Sequence, residues 1–327
     1  MTPGGDPALA FIIVNWNTRE LLLGCLKSIG STVKKNPFEI WLVDNGSTDG
    51  SVEAVRKLFP AVNIIENGAN LGFAKANNLA LSKMAGKYAV LLNTDAVLDE
   101  NAIDAIMEFM EKNPDVAVCG GQLLNADGSR QNSIANFPSL LTELTNKSLL
   151  RLIAPGKYPG KERHFQAPVE VESVIGACMA VRKKAIDETG LLDEDYFFFL
   201  EETDWCLRFR KKGWKVFHHP GARIWHLQGQ SAGKTLIRTR IEYWKSRYMY
   251  FKKHARPVEK FMLRAGLLIR LLIGFSLNFL YNLLTFFSLK KGRKKQMLYG
   301  ALLAWHVLGC PGSWGFLRPA KKTANER

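Results

Sequence analysis

The sequence predicts an α/β protein: a mostly parallel sheet with helices on both faces, followed by a helical C-terminal region of different chemistry. Three observations carry this. Short apolar, β-branched runs alternate with helix signals between Leu9 and Cys119, at the spacing of strand–helix–strand units. Two of those runs end in acidic turn clusters, at Asp44 and at Asp95. Beyond Val258 the chain becomes apolar and basic, with almost no acid. The 327 residues, 47% of them apolar, suffice for one large domain or two smaller ones.

The elements follow in order. Leu9 to Asn15 is a buried strand, and Thr18 is placed to cap a helix that runs to about Ile29. Glu39 to Asp44 is the second strand, closed by the turn cluster Asp44-Asn-Gly-Ser-Thr-Asp-Gly, and a helix carries the chain to Phe59. Val62 to Glu66 and Tyr88 to Leu92 are the third and fourth strands, the fourth ending in Asn93-Thr94-Asp95. Asp99 is placed to cap a helix to about Lys112, and Val116 to Cys119 is the fifth strand. Asn125-Ala-Asp-Gly-Ser reads as a hairpin turn. Residues 137–170 read as a long loop with one short helix near Leu140 to Ile153, and order returns at Val171 to Val181.

Charge divides the chain. Residues 1–250 hold 30 Lys and Arg against 28 Asp and Glu, whereas residues 251–327 hold 15 against 2. The formal charge of +15 therefore sits in the tail. This argues against nucleic acid as a partner, which would need basic residues interleaved with aromatics on the body; only Arg238 to His254 has that texture. Cys25, Cys119, Cys178, Cys206 and Cys310 form no CxxC pair, so neither a zinc knuckle nor a disulfide framework is expected, and a reducing compartment is. The N-terminal residues show no basic-then-apolar secretory pattern.

In the tail, Leu271 to Leu289 is nineteen residues without a charge, followed at once by Lys290-Lys-Gly-Arg-Lys-Lys and a second apolar stretch, Met297 to Cys310. The length approaches a bilayer span. Ser276, Asn278, Asn282, Thr285 and Ser288 instead favour an amphipathic helix lying in the membrane surface, with the basic cluster on anionic headgroups. Two domains are expected, 1–250 and 251–327.

Chemistry is expected beyond the carboxyl ends of the strands, where open α/β sheets bind ligands. Asp44 can accept the N3–H of uracil or thymine, with Asn15 beside it on the first strand. Asp95 can hold Mg2+ or Mn2+ against a diphosphate, and one carboxylate needs a second ligand, for which His226 is the candidate. In a helix starting near Glu201, Glu202 shares a face with Trp205, Cys206 and Phe209, while Glu201 faces Asp204 and Arg208. Glu202 is then the acid held against apolar groups, which suits a general base. An acidic first turn that merely complements the helix dipole is the plainer alternative. Gly229-Gln-Ser-Ala-Gly-Lys-Thr235 is one residue short of a phosphate loop and is set aside.

Taken in order, Val14-Asn-Trp-Asn17, Val43-Asp-Asn-Gly-Ser-Thr-Asp-Gly, Asn70-Leu-Gly-Phe-Ala-Lys-Ala-Asn-Asn78 and Leu92-Asn-Thr-Asp95 resemble the family 2 glycosyltransferases. Gly176-Ala-Cys-Met-Ala-Val-Arg182, Gly190-Leu-Leu-Asp-Glu-Asp-Tyr-Phe-Phe, Glu201-Glu-Thr-Asp-Trp-Cys-Leu-Arg208 and His226-Leu-Gln-Gly-Gln-Ser231 continue the resemblance, which is nearest to the rhamnosyltransferase-like branch. It covers roughly residues 9–250. It implies a Rossmann-like GT-A fold, inversion at the anomeric carbon, a divalent metal, and a nucleotide-diphosphate sugar donor of the dTDP or UDP type. The implied acceptor is a glycan or a polyprenyl-linked sugar, at the cytoplasmic face of the bacterial inner membrane.

Residue by residue, Asp44 resembles the base-binding acid, Asp95 the last acid of the family's DxD motif, and His226 its metal-binding His. Asn15, Asn17, Gly72, Lys75, Asn78 and Asn93 fall on the donor side. Glu202 matches the family's catalytic base, with Glu201 as the second candidate. Tyr196, Phe198 and Asp204 fall on the acceptor side. Two residues depart from the pattern: Asn93 stands where the first acid of DxD is expected, and Glu202 stands for Asp. A non-catalytic scaffold of the same fold is the competing expectation, and Asn93 is its support.

Overall fold

The computed structural model describes residues 7–158, 160, 163–227 and 236–316. The phosphate-loop-like stretch, the end of the His226 motif, the N-terminal six residues and the last eleven lie outside the described residues. The described residues divide into two compact units, one formed by residues 7–137, 160 and 163–227, the other by 138–158 and 236–316.

The first unit is built on strands β1 (Leu9–Asn15), β2 (Phe38–Asp44), β3 (Asn63–Glu66), β4 (Tyr88–Leu92), β5 (Ala96–Leu98), β6 (Val116–Leu124), β7 (Ile134–Ala135), β8 (Val169–Glu170), β9 (Ser173–Val174), β10 (Cys178–Arg182) and β11 (Lys215–His226). The main sheet has the order β3-β2-β1-β4-β10-β6-β11-β5, with β8 on β11, and β7 and β9 pair separately. β3, β2, β1 and β4 run parallel, as the strand–helix alternation requires. β10 then runs antiparallel between β4 and β6.

β1 shows why helices cover both faces. Leu9, Phe11 and Ile13 enter one apolar layer with residues of helices α1 (Arg19–Thr32) and α4 (Ala102–Lys112). Ala10 and Ile12 enter a second layer with residues of α3 (Phe73–Leu81), α7 (Lys183–Thr189) and α8 (Glu201–Lys211). Successive strand side chains point to opposite faces, so a strand buried on both sides reads as a continuous apolar run. Helix α2 (Ser51–Leu58) completes the unit.

The structure corrects several local expectations. Thr18 precedes α1 but makes no capping bond; its hydroxyl lies 2.8 Å from Asn15 Oδ1 and 2.9 Å from Thr94 Oγ1. Asp99 does not cap α4: it pairs with Arg223 at 2.8 Å, and Asn101 in a left-handed conformation precedes the helix. The fifth strand runs on through Gly120 and Gly121 to Leu124, because a side chain at 121 would overlap Ile224 and Ala222 on the neighbouring strand.

The second unit contains helices α5 (Leu140–Leu144), α6 (Lys147–Ile153), α9 (Leu236–His254), α10 (Pro257–Leu284) and α11 (Lys290–Val307). The single short helix expected near 140–153 is two, each opened by its own cap, Ser139 and Asn146. The boundary expected at residue 250 is displaced on both sides. Buried Glu143 pairs with Arg247 of α9 at 2.8 Å, and its carbonyl accepts from Arg270 of α10 at 3.1 Å. Segment 138–158 and α9 therefore belong with the tail helices.

α10 and α11 form a hairpin. Asn278 and Asn282 both donate to the Gly292 carbonyl, and Asn278 also bonds Gln296 at 2.8 Å. Of the polar residues that interrupt the apolar run, Asn278 and Asn282 thus face α11, while Leu277, Leu280, Leu283, Leu284 and Phe286 are exposed. Among the described residues α10 is the one helix long and apolar enough to cross a membrane.

Candidate active site

The carboxyl ends of β1, β2 and β4 meet at one edge of the first unit. Asn15 and Asp44 are paired in register. Asp44 is 3% exposed; its Oδ1 accepts from Asn15 Nδ2 at 2.9 Å, and its Oδ2 accepts from the backbone of Gly46 and Ser47 at 3.1 and 2.8 Å. Asn15 is fully buried, and its amide also donates to Ser47 Oγ. Asn15 thus braces the loop that follows Asp44. Asn17, left-handed at φ 54°, holds Thr48 through its Oδ1. Asn45 clamps the next loop, accepting from Asn67 at 2.8 Å and donating to the Gly72 carbonyl at 3.2 Å. Beside this network Trp16 is 40% exposed and Lys75 is exposed.

Asp95 and His226, the two candidate metal ligands, come together across 131 positions of sequence. β11 pairs with β5 so that His226 faces Ala96. This sets His226 Nε2 3.3 Å from Asp95 Oδ1, and Leu227 N–H bonds the Asp95 carbonyl at 2.9 Å. Behind the ring, Nδ1 lies 3.0 Å from Gln131 Oε1. Among the described residues no three His, Cys, Asp or Glu gather at one point. One half-buried carboxylate and one buried imidazole fit Mg2+ or Mn2+ provided a diphosphate supplies further oxygens. Asn93 adds no charge there; its N–H donates to Ala177 at 3.0 Å, and its carbonyl accepts from Ala96 at 3.1 Å.

Glu202 lies close in connectivity. β10 starts opposite the end of β4, with Cys178 facing Leu92. Ala177 bonds Asn93, and the Glu202 side chain packs against the adjacent Gly176, where an added Cβ would sit 3.5 Å from its Cγ. Burial pushes the Glu202 carboxyl above the usual carboxylate range, offset in part by backbone N–H groups at the start of α8. Glu201 is buried as well. The thiols nearby are inert: burial raises Cys25, which contacts the Asn93 carbonyl at 3.5 Å, and pushes Cys178 up to about 12.

The segment entering α8 is strained. Phe199 and Leu200 both have positive φ, 75° and 67°. The Phe197 carbonyl is tied to Phe73 N–H at 2.7 Å. Gly72 makes this possible, since a Cβ there would lie 2.5 Å from the Phe197 carbonyl. The Asn78 amide donates to the Leu192 carbonyl at 2.8 Å and accepts from Leu192 N–H at 3.1 Å. Tyr196 and Asp204, expected on the acceptor side, are buried against each other, and Asp204 pairs with Arg208 at 2.8 Å. Phe198 alone of the three is half-buried, beside Phe73 and Phe199.

Residues 10–190 match the family model described as glycosyl transferase family 2. The chain belongs to that family. This glycosyltransferase is similar to the N-acetylglucosaminyl-diphospho-decaprenol L-rhamnosyltransferase of Mycobacterium tuberculosis, 27% identical over 289 residues that cover 82% of this chain and 90% of that one. Its fold is also that of a mannosyltransferase from Pyrobaculum calidifontis solved with GDP-Man and Mn2+. That alignment has a TM-score of 0.53 and 15% identity, over 93% of this chain and 87% of the other. GalNAc-T7, solved with UDP, GalNAc and Mn2+, aligns with a TM-score of 0.54 and 17% identity over 80% of this chain and 54% of that one. At such identities the structural likeness establishes the GT-A fold of this glycosyltransferase.

Gln131 escaped the sequence reading. Its signal was the Asn125–Ser129 turn, which returns the chain so that Arg130 bridges to Leu124 and Gln131 comes back beside the sheet.

Proposed function

We propose that this enzyme transfers a sugar, with L-rhamnose the first candidate, from a nucleotide diphosphate of the dTDP or UDP type to a hydroxyl of a polyprenyl-diphosphate-linked acceptor, with inversion. The observation that carries the reading is the convergence of Asp95 and His226 at 3.3 Å on the sheet edge that also carries the Glu202 contact. The similarity to the mycobacterial rhamnosyltransferase supports the choice of sugar and acceptor.

Each residue has a task. The base sits at the ends of β1 and β2, where Asp44 offers a carboxylate edge and Trp16 an indole face. Asp95 and His226 would hold the divalent cation, with Asn93 next to Asp95 in sequence. When bound, Mg2+ or Mn2+ neutralises charge on the diphosphate leaving group. Glu202 accepts the proton of the acceptor hydroxyl as that oxygen attacks the anomeric carbon from the face opposite the diphosphate. Phe198 lines the acceptor side.

Purified protein is to be melted with a panel of nucleoside diphosphates, with and without Mn2+. A ligand at 100 times its Kd stabilises the native state by about 2.7 kcal/mol. A metal-dependent rise in melting temperature with dTDP or UDP is expected. No rise with any nucleotide would favour the non-catalytic scaffold that Asn93 suggests.

The reading has the enzyme work on the acceptor's membrane, and the tail supports it. The exposed leucines of α10 and Phe286, 91% exposed, lie directly before Lys290, Lys291, Arg293, Lys294 and Lys295, which supports a shallow wedge with a basic collar at the cytoplasmic face. Each Lys near an anionic surface is worth roughly 1 kcal/mol. Replacing Lys290, Lys291 and Lys294 by Gln should therefore weaken co-sedimentation with phosphatidylglycerol vesicles roughly 100-fold, from that same ~1 kcal/mol per Lys. Equal binding to neutral vesicles would contradict the collar.

A further inference from the structure

His226 is held by a side chain whose orientation the backbone decides. Gln131 Nε2 donates to the His226 carbonyl at 2.6 Å and to Asn125 Oδ1 at 2.8 Å. A backbone carbonyl can only accept, so the amide nitrogen must face it. Gln131 Oε1 is then the atom that faces His226 Nδ1 at 3.0 Å. An amide oxygen has no proton to give, so Nδ1 carries the proton and donates it. In the neutral ring Nε2 is left with a bare lone pair, 3.3 Å from Asp95 Oδ1. Two acceptors at that separation repel one another unless a proton or a metal ion lies between them. Gln131 is itself buried at 6% exposure, and Asn125 is in turn fixed by Ser129 Oγ at 2.8 Å, so the arrangement is braced.

We propose that Gln131 is a positioning residue of the metal centre: it fixes the Nδ1–H form of His226 and thereby presents Nε2 to the cation shared with Asp95. The proposal rests on the metal reading above. Partners that orient a ligating imidazole through its second nitrogen typically change metal affinity ~10–100-fold when removed. The side-chain bonds of Gln131 run to His226 and Asn125, so its effect on the cation is exerted through His226.

The test uses the full-length protein and Mn2+, titrated by electron paramagnetic resonance with dTDP present to supply the diphosphate oxygens, with the His226 ring nitrogens followed by 15N NMR in the metal-free state. Gln131→Met keeps the volume and removes every polar bond; it should weaken Mn2+ binding roughly 10–100-fold and move the neutral ring toward Nε2–H. Gln131→Glu retains an acceptor for Nδ1–H and should bind Mn2+ more tightly than the Met variant. Unchanged Mn2+ affinity in a folded Gln131→Met would overturn the proposal. So would a wild-type ring that carries its neutral-form proton on Nε2, a result that needs no variant to fold. A wild-type protein with the Nδ1–H ring that binds no Mn2+ even with dTDP present would bring down the metal reading, and the role of Gln131 with it.

Discussion

Glu202→Gln is expected to lower kcat by ~10²–10⁴-fold, the usual contribution of a positioned general base, while metal and nucleotide binding stay near wild type. The amide is isosteric, so packing against Gly176 survives. Two further readouts separate a catalytic role from a structural one. Burial raises the Glu202 pKa, so the folded state holds its proton more tightly than the unfolded chain. Stability therefore falls as pH rises from the unfolded value through the folded one, and at neutral pH the ionised carboxyl costs the fold. Glu202→Gln removes that cost and should melt higher than wild type at neutral pH, with the gap closing as the pH is lowered. The wild-type rate should also fall on acidification at a higher pH than an ordinary carboxylate would give, because the base must be ionised to act. Glu201→Gln is the control: if it, and not Glu202→Gln, silences transfer, the neighbouring acid is the base.

Gly72→Ala is expected to cripple the same segment from a distance. Gly72 has φ 84° and ψ −178°, a region that residues with a Cβ scarcely enter. A Cβ there would also lie 2.5 Å from the Phe197 carbonyl, the atom that Phe73 N–H holds. The dihedral alone costs on the order of 1–3 kcal/mol, and the collision pushes on the backbone that leads through Phe199 and Leu200 to Glu202. A lower melting temperature and a lower kcat should appear together. Gly190→Ala isolates the dihedral cost from the collision, since Gly190 has φ 89° and ψ 173° and an added Cβ would meet nothing within 4 Å. It should destabilise and spare kcat. Equal kcat losses in the two variants would mean that the Phe197 tie does not position Glu202.

The parallel half of the sheet was legible because each strand is a continuous apolar run closed by a polar turn, a pattern only a doubly covered strand needs. The beginning of α8 at Glu201 was legible for a similar local reason. The tasks of the polar residues were not. Asn15, Asn78 and Asp204 stand at strand ends and helix turns, where a ligand contact and a backbone brace look the same in sequence. What separates them is a remote partner: Asn78 is bound to Leu192, 114 residues away, and Gln131 to His226, 95 residues away. The unit boundary was missed for the same reason, since Glu143 precedes by about a hundred residues the arginine that ties it into the tail helices.

The most direct test of the account is transfer itself. The full-length enzyme is incubated with Mn2+, dTDP-L-rhamnose and a polyprenyl-diphosphate-linked N-acetylglucosamine in phosphatidylglycerol vesicles, and the product is analysed by mass and by the anomeric configuration of the new linkage. The account predicts one added deoxyhexose with configuration inverted relative to the donor, lost on chelation of the metal and lost in Asp95→Asn and Glu202→Gln. Retention of configuration, or undiminished transfer by Asp95→Asn, would contradict it.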